Sequence, residues 1–444
     1  QRGQLVLRWY KLTSELSTEH WVRELTRRNP PPLAIIGGSN SESAKQLALA
    51  MNKHTKSLPP QKKPLLFLTT ATADKGKLET ADKVDLIRIY EDRSYRFSFT
   101  NKQMCEAVLD FVWKHPRLRP DSLPAYTDYW QDDPYSVDLF NQFLEEMAER
   151  DRWVMRLSCF APQWMHQAGS LASGGSGLHG ACALRAQLMT TGPVEIPFGI
   201  AFSEGGFTRP NESEARAPQY MLDQLEQRPW QRRPLLFLPA GIKPARRFLR
   251  ALHRSSPVRA RNFVVATGDA INFNGVYRDR NIAWPIQDMP CNLVFFTHHN
   301  PIDRSAGFVL PIKERQRWEP ESGGTNDLLL YYTIAQSLHA STNIESGRIE
   351  NAEQLSAQMK RLRWLPGKGV TLQESGVLLF EEGNRRSGTG EHIVWLAPKF
   401  RGDRVLPRAD LTVYSRNRQK QWIADEQESL KNLPYLGARK QSGK

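Results

Sequence analysis

Two clusters of small hydroxyl residues stand where short apolar runs stop. Residues 33–36 run into Gly37-Gly38-Ser39-Asn40-Ser41, and residues 65–68 run into Thr69-Thr70-Ala71-Thr72. Ligands of open α/β sheets bind outside the carboxyl ends of strands, where helix N-termini offer free N–H groups, so an anionic group is the expected occupant of such loops. Hydroxyls and backbone N–H groups solvate a carboxylate without a full opposing charge. Two further residues stand in comparable positions. Tyr135 follows Asp132-Asp133-Pro134 at a helix start, and Asp269 follows the run 263–266 within Gly268-Asp269, beside Asn272-Phe273-Asn274. Each position also has a plainer reading: Ser41 or Ser43 as a helix cap, Tyr135 as packing, Asp269 as the close of a strand.

Other chemistries lack the residues they need. The chain has no G-x-S-x-G elbow, no P-loop and no G-x-G-x-x-G after its first strand, and the adjacent Asp132 and Asp133 read as a cap rather than as an acid/base pair converging on one bond. No enzyme is expected, and no cofactor. His298 and His299 are neighbours on an extended segment, which sends them to opposite faces, so no metal site is expected there. Cys105, Cys159, Cys182 and Cys291 include no C-x-x-C pair; Cys159 and Cys182 could join in an oxidising compartment. The formal net charge is +14 over 444 residues. The basic residues are dispersed in short clusters such as Lys62-Lys63, Arg246-Arg247 and Arg385-Arg386, without a zinc-finger, RNP or basic-zipper pattern, which argues against nucleic acid and favours anionic lipid head groups as the partner of a basic face.

The elements that must position these residues alternate along the chain. Strand-like apolar runs cover 4–8, 33–36, 65–68, 126–130, 194–202, 235–238, 263–266 and 293–296. Helical spacing covers 18–27, 43–54, 101–114, 136–150, 212–227, 244–254 and 326–340. Alternation of this kind predicts an α/β protein with parallel sheets and crossover helices. The glycine-rich stretch 159–192 interrupts the pattern as an insertion, and the polar tail beyond Trp422 is expected to fray. No stretch approaches the ~18 consecutive apolar residues of a membrane helix.

The order of these elements resembles the type I periplasmic binding proteins, in particular the leucine/isoleucine/valine and amide receptors of ABC importers. The likeness rests on Leu33-Ala-Ile-Ile-Gly-Gly-Ser39, Thr69-Thr-Ala-Thr72, Tyr95-Arg96-Phe97 with the helix after it, Trp130-Gln-Asp-Asp-Pro-Tyr135-Ser136 and Val264-Val-Ala-Thr-Gly-Asp269. It implies two lobes, each a mostly parallel sheet flanked by helices, joined by three crossing segments. One lobe would comprise 1–122 and 292–365, the other 123–291 and 366–444. Residues 4–8 match the second strand of the first lobe, so that lobe's first strand is missing from the pattern. Carried over by position, Ser39 and Ser41 bind a ligand carboxylate, Thr70 and Thr72 line the same lobe, Tyr135 forms an aromatic wall, and Asp269 meets the ligand's ammonium. The resemblance thus implies a small amino-acid or amide ligand closed between the lobes, importer membrane subunits as partners, and a periplasmic or otherwise extracytoplasmic location, with a membrane anchor in a segment outside these residues. A second reading stays open: a membrane-associated sensor or protein-interaction subunit on the same fold, motivated by the insertion and the basic surface.

Overall fold

The computed structural model describes residues 6–120 with short breaks, 125–126, 134–149, 155–156, 235–270, 291–298, 334, 338, and 349–431 with short breaks. The chain divides into two units, one of residues 1–101 and 303–390, the other of 102–302 and 391–444.

The first unit is built on three parallel strands, β1 (Ala34–Gly37), β2 (Leu65–Leu68) and β5 (Ser94–Arg96), with β2 in the centre. Every residue of β2 is fully buried, as expected of a parallel strand covered on both faces. Its alternation divides the core in two. Leu66 and Leu68 pack with Val22 of α1 (Thr18–Thr26) and with Ala44, Leu47, Ala48 and Met51 of α2 (Ser41–Thr55). Leu65 and Phe67 pack with Tyr95, Phe97, Phe380 and Leu355 on the other side. Phe67, Tyr95, Phe97 and Phe380 meet there edge-on, with ring centroids 5.1–5.9 Å apart. A hairpin of β3 (Lys75–Leu78) and β4 (Ala81–Asp85) follows β2, and Arg385 forms an ion pair with Asp85. The expected strand at 4–8 is corrected where it is described: residues 6–8 form none, and with Val6 68% and Leu7 41% exposed the segment buries no face against the described residues.

The second unit contains an eight-stranded sheet. Its parallel part runs β10 (Asn292–Thr297), β9 (Val264–Thr267), β8 (Leu235–Phe237), β6 (Ala125–Tyr126) and β7 (Met155–Arg156). β10 also pairs antiparallel with β14 (His392–Arg401), which continues into β15 (Arg404–Arg416) and β16 (Trp422–Lys431). Helix α3 (Asn101–Lys114) brings Phe111 against Tyr414 and Trp422, α4 (Pro134–Glu149) stacks Phe143 on Phe237 at 4.0 Å, and α5 (Ile242–Ser255) joins β8 to the β9 region.

The α/β class and the parallel sheets agree with the sequence, and two further particulars differ. The tail does not fray at Trp422, since β16 pairs antiparallel with β15 as far as Lys431, and the ladder holds a strand that its run of polar residues does not announce. The units divide at 101/102, 302/303 and 390/391, whereas the expected divisions fall at 122/123, 291/292 and 365/366. Strand pairing moves these boundaries: β10 is laddered between β9 and β14, which carries it into the second unit, while Leu379 and Phe380 pack in the first unit's core. A small antiparallel sheet of β11 (Arg363–Leu365), β12 (Gly369–Thr371) and β13 (Val377–Leu378), preceded by α6 (Ala352–Met359), completes the first unit. The run 194–202, the insertion 159–192 with Cys159 and Cys182, and helix 212–227 lie outside the described residues, as does nearly all of helix 326–340. Cys105 and Cys291 are buried and neither is in a disulfide.

Candidate functional site

In the first unit the two hydroxyl loops lie side by side at the carboxyl ends of β1 and β2 and are tied to each other. Gly38 turns the chain with φ +79°, and a Cβ there would come within 2.9 Å of Ala44, so the tight strand-to-helix turn requires glycine. Asn40 is the N-cap of α2: its side chain accepts from the Ser43 N–H at 2.8 Å while Ser43 Oγ accepts from the Asn40 N–H at 3.2 Å. This reciprocal cap leaves the backbone N–H groups of Ser41 and Glu42 without a partner among the described residues, at the positive end of a 15-residue helix.

The four predicted residues of this unit take different parts. Ser39 is exposed, and its carbonyl accepts the Thr70 hydroxyl at 2.8 Å. Ser41 is buried and its Oγ accepts from the Ala73 N–H at 3.2 Å, which leaves its own hydroxyl hydrogen to donate. Thr70, having donated, keeps its lone pairs. Thr72 is 2% exposed and its carbonyl accepts from the Asn101 N–H at 2.8 Å and from Arg96 Nη1 at 3.4 Å. Thr69, outside the predicted set, donates to the Gly37 and Gly38 carbonyls, each at 3.4 Å. The Thr69 and Thr70 hydroxyls therefore tie the loops, and the groups left over for an anion are the Ser39 and Ser41 hydroxyls and the first N–H groups of α2.

The second unit gathers its residues at the carboxyl ends of β8, β9 and β10. The N-terminus of α4 fastens two of these ends: the Ser136 hydroxyl donates to the Pro239 carbonyl, and Tyr135 Oη accepts from the Ala270 N–H at 3.2 Å. Tyr135 lies so close to Gly268 that a Cβ there would stand 2.4 Å from its oxygen. Asp269 is held by a residue that sequence reasoning set aside: its Oδ2 lies 2.8 Å from His298 Nε2, one residue past β10. Both side chains are buried. Asp269 Oδ1 and Thr267 Oγ1 are also buried and have no hydrogen-bond partner among the described residues. The signal that could have found His298 is its place after an apolar run parallel to the one that ends at Asp269.

Two groups of this unit stand far above their ordinary range: burial pushes the Cys291 thiol up to about 12, and the other is Glu391, the first residue of the returning segment. Burial pushes its carboxyl up to about 7, against the pull of Arg416 at 3.0 Å, and Glu106 and Asp110 of α3 add their repulsion. In the first unit Arg386 is buried, stacks 4.8 Å from the Phe99 ring and donates to the Phe97 carbonyl at 3.3 Å; burial brings its guanidinium down to about 10. Among the described residues no cluster of three or more His, Cys, Asp or Glu could hold a metal, and no helix is long and apolar enough to cross a membrane.

No protein-family profile and no curated protein matches the sequence. Solved structures do match in fold. An ABC transporter substrate-binding protein from Sphaerobacter thermophilus is 12% identical, with 94% of this chain and 84% of that chain covered at a TM-score of 0.51. A substrate-binding protein from Desulfitobacterium hafniense, solved in complex with Leu, is 10% identical, with 87% of this chain and 83% of that chain covered at a TM-score of 0.50. The chain has the α/β fold of the type I periplasmic binding proteins.

Proposed function

We propose that the chain is an extracytoplasmic, non-enzymatic solute-binding protein that takes a small amino-acid-like or amide ligand on its strand-end loops for an ABC importer. The observation that carries this reading is the pair of α2 N–H groups beside the Ser41 hydroxyl, an anion-binding arrangement at the carboxyl ends of parallel strands. Within the second unit, Asp269 offers an acceptor at the ends of β9 and β10, a group suited to an N–H donor. Solved proteins of the same fold carry substrate-binding names, and one of them holds Leu, which supports the choice of ligand class.

A thermal-shift screen against the common amino acids, small amides and organic acids tests the proposal. A ligand at ~100 times its dissociation constant adds about 2.7 kcal/mol of stability, and a shift with one ligand class is the expected result. Asp269→Ala is expected to weaken that ligand, and a flat screen across the panel would remove the reading. One observation favours the alternative of a protein-interaction subunit on the same fold: Val6, Trp9 and Leu12 are 68%, 82% and 57% exposed along one short segment. Its test is a shift in sedimentation when partner proteins are added, abolished by Trp9→Ser.

A further inference from the structure

Most of the chain's positive charge lies in one stretch. Residues 227–268 hold ten Lys or Arg and no Asp or Glu, and so carry +10 of the formal net charge of +14. Helix α5 runs through the middle of this stretch, and the basic residues that look scattered along the sequence, Lys243, Arg246, Arg247, Arg250 and Arg254, fall at helical spacing on it. At 3.6 residues per turn these five positions share the side of α5 opposite Ala245, Phe248, Leu249 and Leu252, each of which is buried to 1% or less. The apolar side is thus committed to the core of the second unit, and the opposite side is a line of basic positions roughly 16 Å long. No large apolar residue shares that side.

The charge continues where the chain leaves α5. Arg254 and Arg261 are exposed, and Arg259 lies between them in the short helix Pro257–Ala260, just before β9 begins. The turn between β14 and β15 reaches the same amino end of the parallel strands. Leu293, near the start of β10, pairs with Leu396, so residues 398–408 run on past that start, and Arg401, Arg404 and Arg408 there are exposed beside the acidic Asp403. Asp269 and Tyr135 stand at the other, carboxyl ends of the strands.

Charge alone selects the occupant. A protein partner asks for an apolar or aromatic centre to its interface, which this side of α5 does not offer, whereas a surface of anionic head groups asks only for cations. A phosphate backbone asks for the same, and the choice of lipid over nucleic acid rests on the extracytoplasmic reading above. We infer that the basic side of α5, continued by Arg259, Arg261 and the β14–β15 turn, is a docking surface for an anionic lipid bilayer. With the apolar side of α5 buried in the core, nothing on this helix inserts among the acyl chains, so the contact is electrostatic, reversible and sensitive to salt.

The test is co-sedimentation of the full chain with vesicles of phosphatidylcholine alone and of phosphatidylcholine containing about one-third phosphatidylglycerol. Binding is expected with the anionic vesicles only, and is expected to fall at least tenfold or so between about 0.05 and 0.5 M salt. Arg254→Gln with Arg261→Gln is expected to weaken it about twentyfold, a factor of about five for each cation removed from the surface. Both residues are exposed, so the unfolding midpoint of this pair should match the parent. Lys62→Gln with Lys63→Gln removes the same charge from the first unit and is expected to stay within about twofold. Equal losses in the two pairs would mean that net charge acts and not this face, and would overturn the surface, as would failure to bind the anionic vesicles. Tighter binding to duplex DNA or to polyglutamate than to those vesicles would give the face to nucleic acid or to an acidic protein, and would overturn the lipid assignment. The solute screen reads the strand-end loops independently. A flat screen beside vesicle binding that depends on Arg254 and Arg261 removes the solute reading and leaves this surface standing, and a positive screen without vesicle binding does the reverse.

Discussion

Glu391 is the residue whose charge state the fold has changed most usefully for a test. Burial raises its carboxyl to about 7, so in the folded protein it holds a proton over a pH range in which the unfolded chain, with an ordinary carboxyl, has lost it. Between about 4.5 and 7 the native state therefore binds more protons than the unfolded state, and this group makes stability fall as pH rises through that window, with no further effect above it. Glu391→Gln mimics the protonated form. Its unfolding midpoint, measured from pH 4.5 to 7.5, is expected to gain on the parent steadily up to about pH 7 and then run parallel. A difference that does not change with pH would show that Arg416 keeps the carboxylate ionised throughout. At the same scale, the Ser41 hydroxyl is legible in sequence only as a candidate: Gly37-Gly38-Ser39-Asn40-Ser41 announces a strand-to-helix turn, but only the fold decides that Asn40 caps and Ser41 is left to donate.

At the level of elements, α2 is the device that holds the first unit's loops in register. Its cap joins Asn40 and Ser43 in both directions, and losing such a cap costs about 1 kcal/mol. Asn40→Ala is thus expected to lower stability by about that amount in denaturant titration. It is also expected to weaken anion binding at the same loop, because the first turn that presents the Ser41 and Glu42 N–H groups would fray. Asn40→Ser, a residue equally able to cap, restores both. Helices α1 to α5 and strands β1, β2, β8, β9 and β10 were legible because each carries its own periodicity. Strands β15 and β16 were not, since their charged residues carry no local feature that distinguishes a long antiparallel ladder from solvated coil, whereas β14 does carry an apolar run, 393–397, of the kind that marks a strand.

Across the whole chain, each unit owns a core. Phe67 is fully buried between the aromatic cluster of the first unit and its parallel neighbours, so Phe67→Ala is expected to cost about 3–5 kcal/mol there. Hydrogen exchange should show the loss in β1, β2 and β5 while β9, β10 and β14 keep their protection, because those strands belong to the other unit's sheet. Equal loss in both sheets would mean that the two cores unfold as one cooperative body. The net charge of +14 belongs to this scale too, bearing on solubility and on encounter with anionic surfaces rather than on either core.

The sequence by itself determined the class of the protein: alternating apolar runs and amphipathic stretches can bury their faces only as parallel sheets covered by helices, and hydroxyl-rich turns after those runs must fall at strand ends. It also determined the chemistry on offer there, since residue types are local facts. Partnership is not local. That Asp269 spends one oxygen on His298, that Thr70 donates to the Ser39 carbonyl, and that β10 is laddered between β9 and β14 are consequences of which distant segments meet. Only the tertiary structure decided them, because a hydrogen-bond partner 29 or 31 residues away is chosen by strand pairing and helix packing, not by spacing along the chain.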